Sequence, residues 1–145
     1  MTINAAATGG KLGAAPQEQP AAYQAGACNI GPAEIARRRR TGHVGLIITL
    51  ALLGLLLALD APSWLRLVLF VPAAIGSAGY LQAHYRFCAD YGWRGVFNVG
   101  ERAGHDLTTS VADPEARRVD RRRAMLISAG SGVIGLAVTL LALVL

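Results

Sequence analysis

Charge is what this chain lacks over long stretches. Gly42 to Leu59 contains no Asp, Glu, Lys or Arg, Trp64 to His84 contains only Arg66, and the 22 residues Ala124 to Leu145 contain none. A pore or carrier normally holds an ionisable group at membrane depth. These stretches offer only Thr49, Ser77, Ser131 and Thr139 at their centres, so transport is not expected. Cysteine is scarce as well: the chain has two, Cys28 and Cys88, with no CxxC or HxxxH spacing. A structural disulfide is therefore not expected, and no metal is assigned. No glycine-rich phosphate loop is present, and no Ser or Cys nucleophile accompanies His105 and Asp106. That region reads as a solvated loop, and no catalytic residue is assigned. Residues 1–27 lack the apolar run of a secretory signal, so none is expected.

What is present is apolar. A bilayer core of about 30 Å needs about 20 helical residues. The second and third stretches are long enough, and Thr41 and the turn at Asp60 complete the first. Soluble helices of this length carry a polar face, and these show almost none. The expected fold is an all-α membrane protein with three transmembrane helices: an antiparallel hairpin closed by Asp60–Ser63, then a C-terminal helix. Pro72 should kink the second helix, Ser63 should cap it, and Arg66 should snorkel outward. Asp113-Pro114-Glu115 has the cap, first-position proline and acidic first turn of a helix start. From there a helix can run to Leu145, its first turns protruding from the membrane.

The basic residues orient the chain. Lys11 and Arg37 to Arg40 precede the first span, and eight arginines from Arg86 to Arg123 lie between the second and third, so only Arg66 of 14 Lys+Arg falls on the other side. The positive-inside preference then predicts a cytoplasmic N-terminus and an outer C-terminus in a bacterial inner membrane. The expected organisation is a disordered cytoplasmic tail (1–27), a hairpin domain with interfacial flanks (28–98), a cytoplasmic loop (99–113) and a protruding helix with the third span (114–145). Arg37, Arg38, Arg39, Arg40, Arg86, Arg94, Arg121, Arg122 and Arg123 are expected at lipid headgroups, with the aromatics of residues 84–97 at the same depth. Nucleic acid is not expected as a partner, because membrane contact explains the aromatic–arginine interleaving more simply. Glu34 reads as a complement to its helix dipole. Ser128, Gly132, Gly135 and Thr139 recur at helical spacing and read as a packing face, for the hairpin, a second copy or a membrane partner. Asn29-Ile30-Gly31 and Asn98-Val99-Gly100 repeat an Asn-aliphatic-Gly pattern too short to establish a duplication.

Cys28-Asn29-Ile30-Gly31, Glu34, Arg37 to Arg39 and Gly42, followed by an apolar hairpin, Gly79-Tyr80-Leu81 and Phe87-Cys88, resemble a family of small bacterial inner-membrane hairpin proteins. Some of its members are fused to rhodanese-type sulfurtransferase domains. The resemblance covers about residues 28–91, with Ala89 where that family usually has Pro and with a third helix added. It implies the hairpin topology and draws attention to the thiols, but assigns no reaction and no cofactor. Two functions follow as expectations: an accessory or anchoring subunit, or a thiol-based redox, sulfur-handling or metal-binding protein. The second would use Cys28 and Cys88, with His84 and His43 nearby in sequence.

Overall fold

The computed structural model describes residues 22–145, most of them helical, so residues 1–21 of the expected tail lie outside the described residues. Helix α1 spans Pro32–Ala58, with Gly31 as its extended N-cap and Pro32 as its first residue. Proline suits that position because the missing N–H has no intrahelical partner there. The helix ends in a left-handed cap. Asp60 takes φ +47°, its N–H donates to Leu57 O, and Ala61 N–H donates to Leu56 O. These bonds satisfy the last carbonyls and reverse the chain, as in a Schellman ending.

The second span departs from the expected single helix. Ser63–Leu69 is a 3-10 helix, continued by helix α2, Phe70–His84. Pro72 has no N–H to offer the carbonyl four residues back, so the α-helical ladder is broken here and the preceding turns tighten. Ser63 is not the cap; it is the first helical residue, preceded by Pro62, and no side-chain cap bond forms. Short helix α3, Ala89–Arg94, ends at left-handed Gly95. Strands β1 (Val96–Phe97) and β2 (Thr109–Ser110) then pair antiparallel, a small ladder that joins the expected interfacial flank to the expected loop. Helix α4, Pro114–Leu143, starts on Asp113, whose carboxylate accepts from Glu115 N–H at 3.0 Å.

Helix α2 packs against α1 and against α4. The α1–α2 contact is backbone to backbone. A Cβ on Gly45 would meet the Cα of Gly76, and one on Gly79 would lie 2.5 Å from Gly42 N. Close approach of this kind is how helices associate where lipid removes the hydrophobic drive between them. Against α4, a Cβ on Gly135 would lie 2.8 Å from Ala74 Cβ, and Ser77 Oγ donates to Ser131 O at 3.1 Å. Arg66 does not point away from the bundle: its guanidinium donates to Ala142 O at 3.2 Å, placing a cation on the C-terminal carbonyls of α4.

Pro32–Ala58, Ser63–His84 and Pro114–Leu143 are each long and apolar enough to cross a membrane. In their most apolar stretches only 17%, 17% and 28% of residues are buried. Their outward faces, Ile47, Leu50, Val71, Val133 and Leu141 among them, are therefore apolar surface without a protein partner. Patches of that extent are foreign to a water-facing monomer.

Candidate functional site

The arginine-rich end of the bundle carries the buried polar chemistry. Asn29 joins three segments there. Its Oδ1 accepts from Cys88 N–H at 2.6 Å and its Nδ2 donates to Cys88 O at 3.0 Å, so one side chain satisfies both backbone groups of Cys88. Its own backbone binds Arg86 O and Asn98 N–H, and Gly31 N–H then donates to Asn98 O at 2.8 Å. The two Asn-aliphatic-Gly motifs thus lie side by side, joined by a parallel bridge between Ile30 and Asn98. Gly31 is required because a Cβ would strike the backbone of Val99 and Gly100.

Glu34 is the centre of this knot and is fully buried. Its Oε1 accepts from Tyr91 O–H at 3.0 Å, from Gly104 N–H at 3.0 Å and from Arg37 at 3.4 Å. Its Oε2 has no hydrogen-bond partner and lies 3.9 Å from Arg38 Nη2. The same Arg38 nitrogen approaches Cys88 Sγ at 2.9 Å. Burial together with Glu34 pushes the Tyr91 phenol up to about 12, so it stays a donor. Burial also pushes the Cys88 thiol up, against the opposing pull of Arg38. A protonated, fully buried thiol is a weak nucleophile and a weak ligand. Together these residues form a buried network that ties α1, α3 and the 98–104 segment to one another, with Glu34 Oε2 and Arg38 Nε left without hydrogen-bond partners.

A second buried carboxylate, Asp120 of α4, accepts from Tyr23 O–H at 2.8 Å and from Gly26 N–H at 2.7 Å. Tyr23 stacks on Phe97, ring centroids 4.5 Å apart. Residues 22–27, expected within the disordered tail, are therefore bonded to α4. Burial and the hydrogen bond to Asp120 push the Tyr23 phenol well above its usual range.

The residues of the expected Cys/His set each have other contacts in the structure. Cys28 and Cys88 are both buried and free, and Cys28 Sγ turns to Ile30 O. His43 pairs with Tyr80 Oη at 2.6 Å, while His84 packs edge-on against Tyr85. Among the described residues no three His, Cys, Asp or Glu side chains gather closely enough to hold a metal ion. Of the arginines expected at headgroups, Arg39, Arg40, Arg86, Arg94, Arg121 and Arg122 are exposed, and Arg37 is half exposed. Arg38 turns inward to Glu34 and Cys88, and Arg123 lies partly buried over the Tyr85 ring at 4.5 Å. Phe87 and Tyr91, expected at headgroup depth, are fully buried, whereas Tyr85 and Trp93 are exposed. On α4, Gly135 and Thr139 lie in the packed face, but Ser128 is exposed and a Cβ on Gly132 would meet open space. The buried stripe runs instead through Ala124, Ile127, Ser131, Gly135, Thr139 and Ala142.

Sequence reasoning missed Glu34, Tyr91, Asp120 and Tyr23 as site residues and expected Arg38 at headgroups rather than beside Glu34. One signal pointed to Glu34 and Arg38: they share a helical stripe with Gly42, Gly45 and Thr49, the face α1 buries. Comparison of the chain with family models, with characterised proteins and with solved structures finds no significant match. The fold itself defines the class: a mostly helical protein with three helices suited to crossing a membrane, tied together at its arginine-rich end by a buried polar knot.

Proposed function

We propose that this chain is a multi-pass protein of the bacterial inner membrane, N-terminus cytoplasmic and C-terminus outside, acting as an accessory or anchoring subunit of a larger membrane assembly. The resemblance of residues 28–91 to the small hairpin family belongs to this reading. One observation carries it: the two buried carboxylates, Glu34 and Asp120, are held by internal bonds, while the outward faces of the three long helices are apolar. Such a surface suits lipid and a partner's helices. The test is purification of the full-length chain from native membranes in mild detergent, followed by mass spectrometry. A stoichiometric membrane partner supports the reading; a chain that elutes alone, with bound metal or an oxidised Cys28–Cys88 pair, overturns it.

The thiol reading keeps one observation in its favour, Arg38 2.9 Å from Cys88 Sγ, a contact that stabilises a thiolate. It expects Cys88 in the folded chain to react with a maleimide at neutral pH. Burial argues for the opposite result.

A further inference from the structure

A trough of about 450 Å³ runs between α1 and the second span, walled by Val44, Ile48 and Leu52 on one side and Val71, Pro72 and Ile75 on the other. It lies where the 3-10 turns Ser63–Leu69 pass into the first turn of α2, with Val68 on one side of the junction and Val71 and Pro72 on the other. The lining is apolar throughout except at Thr41, whose hydroxyl is already committed to Arg37 O at 3.2 Å. A polar ligand has nothing there to bind.

Length identifies the occupant. From Thr41 to Leu52 the trough covers about 16 Å along α1 at the helical rise of about 1.5 Å per residue. Half of a bilayer core of about 30 Å is about 15 Å, so the trough is one monolayer deep. A crossing partner helix would need a seat along the full core. The trough extends over only about half of that length. A single hydrocarbon chain, held at carbon–carbon contacts of about 3.5–4.0 Å, needs no more than that. Charge completes the match. Arg37 precedes Thr41 by four residues, and Arg40 precedes Val44 by four, so both stand above the mouth on the trough's own helical face. Arg40 is exposed and makes no ion pair among the described residues; Arg37 is half exposed, with Glu34 as its only carboxylate.

We propose that the trough holds one acyl chain of an anionic phospholipid from the leaflet at the arginine-rich end, its phosphate held by Arg37 and Arg40. The proposal rests on the membrane reading above but not on the anchoring role. The lipid is thereby a fixed part of the α1–α2 surface.

The test uses the full-length chain in phosphatidylcholine vesicles carrying a trace of phosphatidylglycerol or phosphatidylcholine, spin-labelled on the acyl chain. Alkaline carbonate extraction first establishes that the chain is integral, and a chain released by carbonate overturns the membrane reading itself. For an integral chain, the expected result is an immobilised fraction with a preference for labelled phosphatidylglycerol. Arg37→Gln and Arg40→Gln should each lower that preference about fivefold. Ile48→Trp, at a position 48% exposed and therefore tolerant, should remove the immobilised component for both lipids. Equal immobilisation of both lipids, unchanged by Ile48→Trp, overturns the proposal. Efficient disulfide cross-linking between two chains carrying Ile48→Cys does so too, since a second copy then fills the trough.

Discussion

At the scale of single residues, Glu34 decides more than any other side chain. A fully buried carboxylate costs several kcal/mol to desolvate unless its lone pairs are met, and here Tyr91, Gly104, Arg37 and Arg38 surround it. Glu34→Ala leaves Arg38 beside an uncharged hole. It should cost about 3–5 kcal/mol, the usual penalty for removing one partner of a buried pair. Glu34→Gln keeps an acceptor and should cost less. Thermal unfolding in detergent measures both, and a Glu34→Ala protein that melts like the parent would contradict the account. Tyr91 adds a pH dependence. Its folded phenol is raised to about 12 against an ordinary value of about 10, so its bond to Glu34 contributes fully below about pH 10. That contribution is lost as pH rises through about 12. Tyr91→Phe should be less stable at neutral pH and should flatten the alkaline fall.

At the scale of elements, glycine placement determines which helices touch. Gly45 and Gly76 face each other with no room for a Cβ, and Gly79 sits against Gly42 and Arg38 O. Leucine at Gly45 or Gly79 must push backbone away from backbone, at a cost above the usual range of about 1–3 kcal/mol for overpacking. Around Gly54 and Gly132 a Cβ meets nothing within 4 Å, so alanine there should stabilise by about 0.5–1 kcal/mol through helix propensity alone. Denaturant titration of the four variants should separate them into two groups; a destabilising Gly132→Ala would place that residue in an interface with another chain. The composition of α4 identified it as a packing helix, but which face packs followed from where Ala74 and Ser77 of α2 stand. Ser128 and Gly132 are as small as Ser131 and Gly135 and differ only in direction.

At the scale of the whole molecule, two long-range ties close the arginine-rich end. Asn29 binds Cys88 and Asn98, and Tyr23 with Gly26 binds Asp120 across 97 and 94 residues of sequence. The second tie couples the segment before α1 to the extension of α4 beyond the apolar span. Asp120→Ala strands a partly buried phenol and an N–H. It should cost about 1–3 kcal/mol and free residues 22–27 for cleavage. Limited proteolysis reads this directly: faster cutting near Tyr23 with an unchanged hairpin core is expected, and an unaltered digest would mean the tie is idle.

The sequence alone determined the three apolar helices, the short turn at Asp60, the start of α4 and the gathering of arginines at one end. Hydropathy, capping and charge act over a few neighbouring residues, so they can be read along a line. Only the tertiary structure decided that Glu34 and Arg38 turn inward and that the two Asn-Gly motifs pair. Each of those outcomes depends on a partner far away in the chain, 57 residues for Glu34 and Tyr91, 70 for Glu34 and Gly104. No local pattern distinguishes a carboxylate that complements its own helix dipole from one that waits for a distant phenol.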